Sequence, residues 1–195
     1  MTSANKAVFL DRDGTLIKHV PYLHDPQLVE LSPGAPKALS ELKAMGFLLI
    51  VVTNQSGVAR GYYVEEDIRR VNRRVNEVLE ESGGPAIDAF YYCPHFPEGV
   101  IPEYSVCCNC RKPSPGMALR AALEHDIDLK RSYIIGDTYS KEIVMGLALG
   151  MVTVLYSSAS MERPPGVLAV IHGFSDLPRI IETHTHGVDL EHQIG

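Results

Sequence analysis

Residues 6–14, Lys6-Ala7-Val8-Phe9-Leu10-Asp11-Arg12-Asp13-Gly14, set a short apolar run directly before a cluster of charge and a glycine. Such a run reads as a buried strand with a polar exit at its carboxyl end. The pattern repeats from Phe47 to Thr53, which ends on Asn54-Gln55-Ser56-Gly57. Between the two, Ser32-Pro33 starts a helix in which Ala35, Ala38, Leu39, Leu42 and Met45 recur at helical spacing until Gly46. Strand, helix, strand is the unit of a parallel sheet.

Outward from this unit the alternation continues. Ile68, Val71, Val75, Val78 and Leu79 form one stripe of a helix expected from about Val64 to Ser82, closed by Gly83-Gly84-Pro85. Ile87 to Tyr92 reads as a third strand. Pro94 to Pro115 has no period and reads as a long loop, followed by a helix from Pro115 to about His125. A strand from Tyr133 to Ile135 ends on Gly136-Asp137, and a helix near Lys141 to Leu149 and a strand from Met151 to Leu155 follow. The expected fold is α/β, a doubly wound, Rossmann-like parallel sheet, in which ligands bind beyond the carboxyl ends of the strands. One domain over residues 1–182 is expected, with a polar tail at 183–195 that carries His184, His186 and His192.

The bulk numbers narrow the function. A chain of 195 residues, 45% hydrophobic, can bury one substantial core. A formal charge of -6 offers no basic surface for nucleic acid or anionic lipid, so a phosphate-bearing ligand must be drawn by individual cations. No secretion-signal pattern opens the sequence, and the run Ile143 to Tyr156 is too short to span a bilayer. A cytoplasmic monomer acting on a small phosphorylated sugar, without nucleic-acid or membrane partners, is the expectation.

Asp11 and Asp13 lie one residue apart just beyond a strand, so both can serve the same end of the sheet while pointing differently. One carboxylate can attack phosphorus, and the other can pass a proton to the leaving oxygen and later take one from water. Alone, Asp13 reads equally well as a turn residue before Gly14. Later strand ends add the Thr53 hydroxyl and the Asp137 carboxylate, and the long loop adds Lys112. Phosphoryl transfer asks for that set: a cradle, a cation, and hard oxygens to hold magnesium.

With these residues in place the sequence resembles the haloacid dehalogenase superfamily of phosphatases over essentially its whole length. The resemblance is carried by Asp11-Arg12-Asp13-Gly14-Thr15, by Val51 to Gly61, by Tyr91-Tyr92-Cys93-Pro94-His95, by Cys110-Arg111-Lys112-Pro113 with Pro115-Gly116-Met117, and by Gly136-Asp137. It implies Asp11 as nucleophile, Asp13 as general acid and base, and Thr53, Asn54 and Lys112 as phosphate binders. It further implies a magnesium ion held by the Asp11 side chain, the Asp13 carbonyl and Asp137. No insertion between Asp13 and Thr53 is large enough for a separate cap domain, so short loops are expected to roof the site. The run Ser56-Gly57-Val58-Ala59-Arg60-Gly61 is similar to that of phosphatases acting on the 7-phosphate of heptose 1,7-bisphosphate, with histidinol-phosphate phosphatases as near relatives. Arg60 and Arg111 suit a second phosphate, which a guanidinium grips at two points. A catalytically weak, zinc-stabilised phosphate-binding protein is the alternative of a different class.

All four cysteines fall between Cys93 and Cys110. Cys93, His95, Cys108 and Cys110 offer three thiolates and an imidazole, a closed set suited to a structural zinc, while the resemblance gives Cys107 no ligand position and leaves it spare. The segment after Asp137 departs from the family: a cation usually follows the aspartate and a second acid stands four residues beyond it, where this chain has Thr138 and Lys141. The expectation is a weakened magnesium site, with Glu142 displaced by one position and only partly compensating.

Overall fold

The computed structural model describes the backbone of residues 4–194 and the side chains of residues 4–187. Six strands form one sheet: β1 (Lys6–Leu10), β2 (Phe47–Asn54), β3 (Ala89–Cys93), β4 (Tyr133–Gly136), β5 (Val152–Tyr156) and β6 (Val167–Ile171). They are all parallel, in the order β3-β2-β1-β4-β5-β6. The order reverses between β1 and β4, and that switch point opens a crevice at the carboxyl ends of the two strands. Asp11 and Asp137 are the residues that follow those strands, and the Asp11 amide still donates to the Ile135 carbonyl at 2.9 Å.

Both faces of β1 are buried, which explains why its apolar residues run without alternation. Val8 and Leu10 face a layer made with Leu49 and Val51 of β2, and with α1 (Ala35–Ala44), α2 (Glu65–Glu81) and α5 (Leu177–Ile194). Ala7 and Phe9 face the opposite layer, with Ile50 and Val52, Met117 and Ala121 of α3 (Gly116–Glu124), and Met145 of α4 (Val144–Ala148). Helices on both faces of a parallel sheet are the doubly wound arrangement expected from the sequence.

Two elements extend beyond the sequence reading. Strand β6 adds a sixth strand from the plain apolar run Val167-Leu168-Ala169-Val170-Ile171, set off by the proline-rich stretch before it. Helix α5 runs through the segment expected to be a polar tail. It buries Leu177 and Ile181 in the core, and the His184 ring lies 2.9 Å from the Tyr133 hydroxyl. The side chain of His192 lies outside the described residues.

Candidate active site

Lys112 organises the crevice. Its ammonium carries three hydrogens, and three acceptors meet them: Asp11 Oδ1 at 2.5 Å, the Val52 carbonyl at 2.7 Å and Glu142 Oε1 at 2.7 Å. All three side chains are buried. Burial works against the charged ammonium, but the two carboxylates outweigh it and hold the Lys112 pKa above its ordinary value. Burial also pushes the Asp11 carboxyl up to about 7, against the pull of Lys112 and with help from Glu142 and Asp13. A divalent cation beside Asp11 would favour its ionised form, as Lys112 does.

Asp13 is held differently. The buried guanidinium of Arg12 forms an ion pair with its carboxylate at 3.0 Å, and Gln55 Nε2 and Thr53 Oγ1 donate to it at 2.7 and 3.2 Å. Gln55 is held in turn by the Tyr63 hydroxyl, which donates to its Oε1 at 2.8 Å. Burial pushes the Tyr63 pKa up to about 12, which keeps that donor protonated. Arg12 also donates to Asn72 Oδ1 at 2.8 Å, tying α2 to the motif. The two carboxylates thus stay distinct, Asp11 against Lys112 and Asp13 on a polar bracket.

Asn54 acts on the backbone: its Nδ2 donates to the Lys112 carbonyl at 3.1 Å and its Oδ1 accepts from the Lys112 amide at 3.0 Å. The end of β2 is thereby clipped to the loop that presents Lys112. Asp11, Asp13, Thr53, Asn54, Lys112, Asp137 and Glu142 together line a cavity of about 260 Å³, which His19, Thr138 and Lys141 complete. The structure therefore brings together every residue assigned to the phosphoryl group and to magnesium.

The donor set suits a hard divalent cation. Gly14 adopts a φ of +90°, and a β-carbon there would collide with Asp137 Oδ2, so glycine lets this carboxylate lie against the chain just after Asp13. The Thr138 hydroxyl donates to Asp137 Oδ1 at 2.9 Å.

Glu142, the acid displaced by one position, is brought inward by the backbone. Residues Tyr139–Ile143 form a wide π-type turn that absorbs one extra residue. Glu142 is carried into the crevice, where it meets Lys112 and accepts from the Thr138 amide at 3.1 Å. A β-carbon on Gly136 would strike the Glu142 side chain, so glycine at the end of β4 is what lets it fold in. Lys141 turns to the cavity mouth instead.

Arg60 and Arg111 are brought together, but elsewhere. Their guanidinium carbons lie 4.0 and 5.1 Å from the centre of the Phe96 ring, and Arg111 Nη1 donates to the His95 carbonyl at 3.3 Å. Neither lines the cavity around Asp11. Beside them Cys93, His95, Cys108 and Cys110 converge, with neighbouring ligand atoms 3.3–3.6 Å apart. A tetrahedral ion about 2.3 Å from each sulfur needs sulfurs about 3.8 Å apart, so the four fit one metal with little movement. Cys107 is exposed and outside this cluster.

Arg12, Gln55, Tyr63 and Asn72 escaped the sequence reading. One signal was present: Asn72 falls beside Ile68, Val71 and Val75 on the apolar face of α2, and a polar residue there needs a buried partner.

A D-glycero-beta-D-manno-heptose-1,7-bisphosphate 7-phosphatase from Yersinia pestis is 39% identical over 186 residues, covering 93% of this chain and 98% of the relative. The chain belongs to the heptose bisphosphate phosphatase family of the haloacid dehalogenase superfamily. The family model described as HAD-hydrolase-like matches residues 109–168. A D-glycero-alpha-D-manno-heptose-1,7-bisphosphate 7-phosphatase from Photorhabdus laumondii is 42% identical over 135 residues, 69% of this chain and 73% of the relative, so the family members similar to this chain include both anomeric specificities. Among solved structures, a HAD-like phosphatase from Mesorhizobium loti superposes with a TM-score of 0.83 at 34% identity, covering 93% of this chain and 88% of that one. The D,D-heptose 1,7-bisphosphate phosphatase of B. bronchiseptica, complexed with magnesium and phosphate, superposes with a TM-score of 0.76 at 26% identity over 92% of this chain and 99% of that one.

Proposed function

We infer that this phosphatase removes the 7-phosphate of D-glycero-D-manno-heptose 1,7-bisphosphate through an aspartyl-phosphate on Asp11. The observation that carries the reading is the division between the carboxylates of Asp11 and Asp13, one against a buried lysine and the other on a polar bracket beside the same cavity. Asp11 attacks phosphorus as the bond to the C7 oxygen breaks, and Asp13 gives its proton to that oxygen. Asp13 then takes a proton from water, whose oxygen displaces Asp11 from phosphorus and yields inorganic phosphate. Lys112 and Thr53 line the cavity that takes the phosphoryl group, the Lys112 charge offsets that of the phosphoryl oxygens, and Asn54 keeps Lys112 in place. The Asp11 carboxylate, the Asp13 carbonyl and Asp137 would hold magnesium, which would supply charge neutralisation for the phosphoryl group.

The cysteine cluster would hold a structural zinc, its four protein ligands closing the site. A reduced cysteine cluster of this kind suits the cytoplasm. The loops after β1 and β2 wall the cavity, and they take the place of a separate cap domain in this reading. Phosphate release from the heptose bisphosphate, histidinol phosphate and an aryl phosphate, each with and without magnesium, tests the reading. Magnesium-dependent turnover with the heptose bisphosphate preferred is expected; a preference for histidinol phosphate overturns the substrate.

A further inference from the structure

The cavity around Asp11 opens into a second one of about 380 Å³, lined among others by Asp13, His19, Tyr22, Gln55, Tyr63 and Lys141. The two share Asp13, His19, Asn54 and Lys141. On the mechanism inferred above, the leaving oxygen lies at Asp13, so the sugar must run from the first cavity into the second. A bisphosphate then carries its other phosphate away from Asp11, and that dianion needs a cation.

The structure limits the choice. The hydrogens of Lys112 are all engaged inside the protein, and Arg12 is buried against Asp13 and Asn72. Arg60 and Arg111 flank Phe96 and line neither cavity. Among the described residues, Lys141 is the only lysine or arginine in the wall of the second cavity. It is exposed, and its ammonium has no carboxylate within ion-pair distance among the described residues. It stands there because the wide turn Tyr139–Ile143 sends Glu142 inward and leaves the preceding side chain at the mouth. In an unbroken α-helix one residue fewer would separate Asp137 from the inward acid.

We propose that Lys141 is the specificity residue that anchors the distal phosphate of the substrate, in place of Arg60 and Arg111. The assignment rests on the heptose bisphosphate reading. The Nζ of Lys141 and the distal phosphate form a charge-assisted contact open to water, which adds affinity for a bisphosphate and nothing to bond cleavage.

Steady-state kinetics on D-glycero-D-manno-heptose 1,7-bisphosphate and the 7-monophosphate, which differ only in the distal group, test this. Lys141→Met should raise KM for the bisphosphate about tenfold, with kcat within about twofold, and KM for the monophosphate by less than about twofold. Lys141→Arg should restore most of the loss, and raising ionic strength should narrow the gap between the substrates in the parent but not in Lys141→Met. Equal changes for both substrates overturn the assignment, as does a bisphosphate-selective loss in Arg60→Ala or Arg111→Ala that Lys141→Met lacks. Failure of the underlying reading looks different: a parent that releases no phosphate from the heptose bisphosphate with magnesium overturns both.

Discussion

Glu142 Oε1 lies 2.7 Å from Lys112 Nζ, and both side chains are buried. Removing one partner of a buried pair strands the other charge, typically at a cost of about 3–5 kcal/mol. Lys112 keeps Asp11 as a partner, so Glu142→Ala should cost about 3 kcal/mol, a fall of roughly 6–12 °C in the thermal midpoint of a chain this size. Glu142→Gln keeps a hydrogen-bond acceptor and should fold normally, yet lower kcat about tenfold to a hundredfold through misplacement of Lys112. An unchanged midpoint in the alanine variant would show that Glu142 does not neutralise Lys112.

Asp11→Asn should fold and lose at least about a thousandfold in kcat, since the amide matches the shape but is no nucleophile. Activity within about tenfold of the parent, in protein shown by mass to be free of deamidation, would exclude the covalent mechanism.

The raised pKa of Asp11 has a readable consequence for stability. The folded chain holds this proton up to about pH 7, whereas the ordinary carboxyl releases it near 3.8. Between those values the unfolded chain binds fewer protons, so this group's contribution falls as pH rises. In metal-free protein, the parent's thermal midpoint should decline relative to Asp11→Asn across that window, and magnesium should remove the decline. A difference between the two proteins that is flat from pH 4 to 7 would contradict the assignment.

Much of this site could be read in the sequence because its residues stand at strand ends. The β1 bounds match the reading to the residue, and Asp11, Thr53 and Asp137 follow from where apolar runs stop. What was missed is non-local or depends on backbone detail. Arg12 and Asn72 are sixty positions apart and become partners only through the packing of α2. The π-type turn that carries Glu142 inward is a matter of backbone winding, and in sequence Glu142 looks only like a displaced acid. Arg60 reads as a phosphate ligand beside Gly61, and only the fold places Phe96 beneath it.

Zinc analysis should return one ion per chain, unchanged in Cys107→Ser and lost in Cys108→Ser. Because Arg111 and Lys112 directly follow Cys110, loss of the ion should also raise KM for every phosphoester tested. Zinc should leave more readily as pH falls, since protons compete for thiolate ligands. Full activity in zinc-free Cys108→Ser would separate the cluster from the site.

Gln55→Ala removes the shortest hydrogen bond to Asp13 and leaves the Tyr63 hydroxyl without its acceptor. A loss of about 1–3 kcal/mol in stability is expected, with a shift in the pH–kcat profile that a purely structural role would not produce. Tyr63→Phe should reproduce part of the stability loss and a smaller shift. Parallel profiles in the parent and both variants would remove Gln55 from the positioning of Asp13.

The saturation of Lys112 sets two lysines of the same crevice apart as chemical reagents. Acylation requires a neutral, accessible amine, and Lys112 offers neither, being buried and held protonated by two carboxylates. Lys141, in the wall of the same cavity, is open to solvent. An amine-directed label applied to the native enzyme will therefore mark Lys141 and spare Lys112, and the peptide bearing Lys112 will take up label only when the crevice opens, making this lysine a clock for the local unfolding of the site.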